Sequence, residues 1–217
     1  MIFVKVIRTS SEDEMLLEFL KGELTSERFS KNIQNVLDKL NLNSDIIFNG
    51  DISSNNQNQL RKKIMKLFRG YPNVDLFERF PKNIEWKFVE FEETDIDKIY
   101  YINYDYWNEL SNNTSKPTEA AKNIINGIEI YNVSNQPFID GKKKLDFCSF
   151  PPIIILTCNE EKYLIIEGHS RMTIYGLNPG KFIKSKGYVG VCTEKEMQYY
   201  DSRMLSNENI TKKISKK

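Results

Sequence analysis

Apolar residues recur along this chain in two rhythms, and the change comes near Gly127. Helical spacing dominates the first half. Met15, Leu16, Leu17, Phe19 and Leu20 cluster behind Glu12-Asp13-Glu14, an acidic start that suits the positive end of a helix dipole. Phe29, Ile33, Val36, Leu37 and Leu40 form one helical stripe, with Thr25 or Ser26 as its cap. Leu60, Ile64, Leu67 and Phe68 make a third stripe, stopped by Gly70 and Pro72. The stretch from Asn41 to Asn56 has turn chemistry and is expected to be a loop. Met1 to Val6 predicts a first strand. Ile84, Trp86 and Phe88 alternate with polar residues before Val89 and Phe91 shift phase, which predicts a strand with a bulge. Asp105 is placed to cap a short helix ending at Leu110, and Pro117 to Gly127 outlines another.

The second half is more extended. Ile128, Ile130 and Val133 predict an extended segment, followed by a loop from Asp140 to Lys144. Pro152-Ile153-Ile154-Ile155-Leu156 is an unbroken apolar run, as in a strand buried on both faces. Asn159 to Lys162 is a polar turn and Tyr163 to Ile166 the return strand of a hairpin. Ser170 to Tyr175 predicts a short helix, Tyr188 to Cys192 a strand, and Thr193 with Glu196 a capping box for a last helix through about Leu205. These elements predict an α+β fold: a small mixed β-sheet from the second half with helices of the first half packed against it. The expected organisation is a mainly helical region over 1–126, a sheet-bearing core over 127–205 and a basic tail over 206–217. The halves share a core, because no Pro/Gly-rich linker separates them.

Charge changes this picture little. Thirty-one basic residues face 30 acidic ones, a net charge of +1 that draws the chain neither to nucleic acid nor to an anionic membrane. No stretch approaches the roughly 20 apolar residues of a membrane span. Three cysteines, Cys148, Cys158 and Cys192, sit in or beside apolar runs and are expected to be buried thiols, which points to a cytoplasmic setting. A single histidine and no C-x-x-C pair argue against a zinc site.

The chemistry concentrates in Glu167-Gly168-His169-Ser170-Arg171. A buried strand ends at an acid, and a glycine then permits backbone angles that other residues avoid. Polar side chains follow where a helix begins, and the free N–H groups at such an end attract anions. Arg171 adds a planar donor fork that suits phosphate, and His169 can donate to phosphate or move a proton near neutral pH. A second reading stands beside this one: Ser170 caps the helix, Gly168 turns the chain, and Arg171 pairs with Glu167. A phosphate-binding Arg171 faces solvent; a partner of Glu167 is buried.

The two strands from Pro151 to Ile166, this turn and the helix after it resemble the core of the ParB/sulfiredoxin-like superfamily, in an outlying, bacterial-type branch. The resemblance covers roughly 127–205 and is best over 151–177. It implies a nucleotide-phosphate site, with Gly168, His169 and Arg171 on the phosphate turn, Glu167 at the position before it and Ser170 at the variable one. Departures narrow the implied activity. Sulfiredoxins place a cysteine beside the histidine, whereas Gly168 precedes His169 here. Partition proteins continue into DNA-binding and dimerisation regions, for which about forty residues are too few.

The resulting expectation is a phosphotransferase or nucleotide hydrolase that uses a nucleoside triphosphate with Mg²⁺. Glu167 would hold the metal through water or accept a proton, and His169 would hydrogen-bond phosphate or shuttle a proton. The alternative is a regulatory or partner-binding module with a degenerate site. Expected partners are a nucleotide and a further small molecule or protein; a membrane is not expected, and nucleic acid is disfavoured. Arg69-Gly70-Tyr71 and Tyr104 to Trp107 could stack on a base and contact phosphate, or form a packed seam. Lys142-Lys143-Lys144 is expected to be a solvated loop.

Overall fold

Residues 4–26 and 28–200 are described by a computed structural model. Met1 to Phe3, the expected continuation of the last helix to about Leu205 and the expected basic tail lie outside the described residues. The α+β architecture rests on a six-stranded mixed sheet to which both halves of the chain contribute. In chain order the strands are β1 (Lys5–Thr9), β2 (Glu85–Glu90), β3 (Ile99–Tyr100), β4 (Ile153–Thr157), β5 (Tyr163–Glu167) and β6 (Lys186–Val191). Across the sheet the order is β1-β2-β6-β4-β5-β3. The pairs β4/β6 and β3/β5 are parallel and the remaining neighbours antiparallel.

The apolar run in β4 is buried along its whole length because helices cover both faces. Side chains alternate with the pleat. Ile154, Leu156, Leu164 and Ile166 join one core with Met15, Phe19, Ile33 and Ile64 of the first-half helices. Ile153, Ile155, Tyr163 and Ile165 join the opposite core with Ala121, Met172 and Tyr175. The first face is built by α1 (Glu12–Leu24), α2 (Ser30–Lys39), the short α3 (Asp45–Phe48) and α4 (Asn55–Arg69). The second face carries α5 (Asp105–Leu110), α6 (Pro117–Ile125), α7 (Gln136–Lys144) and α8 (His169–Gly176); α9 (Glu194–Tyr200) ends the described chain. No helix among the described residues is long and apolar enough to cross a membrane.

Several local expectations change. The stretch expected to be a loop between Asn41 and Asn56 contains α3, started where Asn43 Oδ1 accepts the Asp45 N–H at 3.0 Å. Phe29, with no side-chain cap bond, precedes α2 in place of Thr25 or Ser26. The third stripe is rotated: Leu67 is 55% exposed and Arg61 only 1%. Arg61 is tolerated inside because Ile46 O and Asp51 O accept from it at 3.1 and 2.9 Å, joined by side-chain oxygens of Gln57 and Asn58. The bulge falls in β1, between Val6 and Arg8, and not in β2. Ile130 and Val133 make a single isolated bridge instead of a strand. Asp140 to Lys144 is helical, because Phe138 is buried in the core, Gly141 packs on Ile174 and three lysines suit the helix's negative end. Cys148 is exposed, Cys158 half-buried and only Cys192 buried. Thr193 and Glu196 do form their reciprocal box.

Gly187 in β6 marks a tight crossing over the sheet. A Cβ there would meet two Phe91 ring carbons at 2.6 and 2.8 Å. The Phe91 ring cannot easily yield, being buried and stacked on Phe182 at 5.1 Å between centroids. Gly187→Ala is therefore expected to cost about 1–3 kcal/mol, the usual range for overpacking. Urea denaturation checks this, and a midpoint equal to that of the parent would refute the tight crossing.

Candidate functional site

The turn between β5 and α8 brings all five residues of the loaded segment into the wall of one pocket of about 400 Å³. Gly168 takes φ of 105°, a left-handed conformation, and a Cβ on it would lie 2.8 Å from Ile153 Cγ2. Both constraints require glycine there. The first bond of the α8 ladder is Met172 N–H to Gly168 O at 2.8 Å. That leaves the backbone N–H groups of Ser170 and Arg171 ahead of the ladder, at the positive end of the helix.

The Arg171 side chain takes the buried arrangement. Its Nη1 donates to Pro151 O and Pro152 O, both at 2.7 Å, and its Nη2 pairs with the Glu167 carboxylate one helical turn away. Burial pushes the guanidinium down to about 10, partly offset by Glu18, Tyr175 and Glu23, so it remains cationic at neutral pH. Glu167, opposite this cation, is held in an ion pair. Ser170 is exposed, and Gly168, not Ser170, occupies the N-cap position of the helix.

His169 begins α8 and lies in an aromatic stack. Its ring is 5.6 Å from Trp107 and 5.9 Å from Tyr101, nearly parallel to each, with Trp107 and Tyr101 4.7 Å apart. The Tyr101 hydroxyl meets Thr173 Oγ1 at 2.6 Å, and Thr173 Oγ1 donates to His169 O at 2.9 Å. The first half of the chain thus holds the histidine in place through packing and a hydroxyl relay. In the segment from Tyr104 to Trp107, Trp107 packs in the seam, and Tyr104 and Trp107 line the pocket.

The remaining wall comes from the end of α1, the start of α2 and the end of α4, and sequence spacing did not reveal this grouping. Glu23, Arg28 and Arg69 line the pocket. Arg69 donates from Nη2 to Glu23 Oε1 at 2.6 Å and lies 4.0 Å over the Phe29 ring, while its buried Nε–H has no acceptor among the described residues. Burial raises the carboxyls of Glu18 and Glu23 above their ordinary range, against the pull of nearby cations. Gly22 permits the close approach of α1: a Cβ there would sit 3.3 Å from Glu167 Oε1 and 3.5 Å from Arg171 Nη2. Only Arg69 of these carried a local signal, in its place beside a helix-ending glycine. Lys142 to Lys144 do not line this pocket.

No group of three or more His, Cys, Asp or Glu side chains capable of holding a metal gathers among the described residues. No family model, curated protein or solved structure matches this chain.

Removing the Arg171 side chain would strand a carboxylate and two carbonyl oxygens. Arg171→Ala is expected to cost about 3–5 kcal/mol of folding stability, as when one partner of a buried pair is deleted. Arg171→Lys should recover only part of the loss, because one nitrogen cannot reproduce the fork across three acceptors. Chemical denaturation of both variants checks the order. An Ala variant within about 0.5 kcal/mol of the parent, as for an ordinary surface change, would contradict the buried arrangement.

Proposed function

We propose that this chain binds a nucleoside triphosphate in the pocket around Gly168 to Arg171. The observation that carries this reading is the convergence of the α8 N-terminus, Arg28 and Arg69 on one space of about 400 Å³, with Trp107 and Tyr104 in the same wall. Phosphate oxygens would accept from the N–H groups of Ser170 and Arg171 and from the two arginines, and the aromatic residues would meet the base. Arg171 contributes its backbone, and its side chain fixes the turn. The sequence resemblance of the stretch from Pro151 to Leu177 to ParB/sulfiredoxin-like proteins supports the same assignment. Mg²⁺ would be held mainly by phosphate oxygens and water, as is usual for this cation. A cytoplasmic location goes with such a ligand.

Within this reading the activity class is phosphoryl transfer or nucleotide hydrolysis. His169 is the group placed to hydrogen-bond phosphate or move a proton. Glu167 is tied to Arg171 and Glu23 to Arg69, so neither pocket carboxylate is left to take the proton-accepting place expected of Glu167, and His169 carries that role in this reading. The ion-paired Glu167 also favours a second reading, a nucleotide-responsive regulatory module without turnover.

Thermal shifts with ATP, CTP, GTP and UTP in the presence of Mg²⁺ test binding. Ligand at about 100 times its dissociation constant should add about 2.7 kcal/mol of apparent stability. Arg28 is exposed and forms no ion pair among the described residues, so Arg28→Ala should fold normally and weaken binding by about 1.5–3 kcal/mol. Phosphate release by the parent, lost in His169→Ala, selects turnover; binding without release selects the regulatory reading. Absence of any shift at millimolar nucleotide would reject both.

A further inference from the structure

A second pocket, of about 550 Å³, shares no lining residue with the first. Lys62, Lys63 and Lys66 of α4 line it together with Lys82 from the segment leading to β2. The acid in its wall, Glu12, is already engaged: Lys62 Nζ lies 2.7 Å from Glu12 Oε2, and the Tyr71 hydroxyl donates to Oε1. Lys62 also reaches Asp13 at 3.2 Å. Lys63, Lys66 and Lys82 are exposed and form no ion pair among the described residues. Three lysines that form no ion pair among the described residues therefore line one concavity together with Gln59 and Asn73, whose side chains carry amide donors.

This arrangement attracts concentrated negative charge, because each lysine supplies a compact point charge with three donors. A nucleic-acid strand fits it poorly. Tyr71 and Phe80, the aromatic residues of the wall, are each only 6% exposed and offer no open face for base stacking. We propose that this pocket is a binding site for a small molecule carrying two or more phosphate or sulfate groups. It is independent of the nucleotide site and does not rest on that assignment.

Calorimetric titration with inorganic tripolyphosphate, without metal and at about 0.15 M salt, tests the proposal under screening that removes loose surface attraction. The probe should bind the parent at one site that weakens about tenfold or more in Lys66→Gln/Lys82→Gln. The same component should persist in Arg28→Ala. Both lysines are exposed, so the double variant should melt with the parent; Lys63→Gln gives a second reading of the same effect. Unchanged binding in the lysine variants, or binding lost only in Arg28→Ala, would overturn the site. Displacement of the probe by a short single-stranded oligonucleotide at much lower concentration would overturn the small-molecule assignment. Failure of Arg28→Ala to alter nucleotide binding would count against the first pocket alone.

Discussion

The buried Arg171 guanidinium ties together the end of β5, the chain just before β4 and the first turn of α8. The start of β4 and the end of β5 already lie side by side, since Ile154 pairs with Glu167, and the guanidinium adds the helix that leaves the sheet at Gly168. A buried cation is unfavourable unless its donors are used, and here Glu167 and two proline carbonyls use them. Gly22 then lets α1 pass close against the pair, within the reach of a single added carbon. The cation thus sets the wall of the pocket as well as the turn. Glu18 and Glu23 extend the same electrostatic cluster, and Arg69 balances Glu23 from the far end of α4.

This division of labour bears on function. An arginine committed to architecture leaves its backbone N–H at the helix start, and in the proposed reading charge recognition would fall to other residues. Arg28 and Arg69 stand in that place, one exposed and the other half-buried with an unused donor. His169 is held by neighbours more than forty residues away in sequence, through the Trp107 and Tyr101 rings and the Tyr101–Thr173 contact. Under the proposed reading, a site with fixed geometry and arginine charge would act by binding and electrostatic stabilisation of phosphate more than through one strong base.

Most of the sheet was legible because its strands obey simple patterns. The β4 run is continuous, β5 ends at a polar turn and glycine, and β2 alternates before its partner shifts register. The loaded turn was legible for the same reason: special residues follow directly after an apolar strand. What stayed hidden depends on tertiary partners. Arg61 sits on the face expected to be apolar, because carbonyls of Ile46 and Asp51 satisfy it. Asp140 to Lys144 became helical once Phe138 had a core to enter. The Arg171–Glu167 pair was one of two arrangements compatible with the sequence, and burial beneath α1 selects it. Glu23, Arg28 and Arg69 meet the turn only after two helices cross, a proximity that no local spacing encodes.

The central claim is that the turn presents its backbone to phosphate while the Arg171 side chain stays engaged with Glu167. Amide and guanidinium resonances, followed by nuclear magnetic resonance during titration with ATP and Mg²⁺, test it most directly. The account predicts saturable shifts at the backbone amides of Ser170 and Arg171 and at Arg69 Nε, with Arg171 Nε–H unchanged. A large shift of Arg171 Nε–H accompanied by silent amides, or saturation with none of these groups responding, would contradict it.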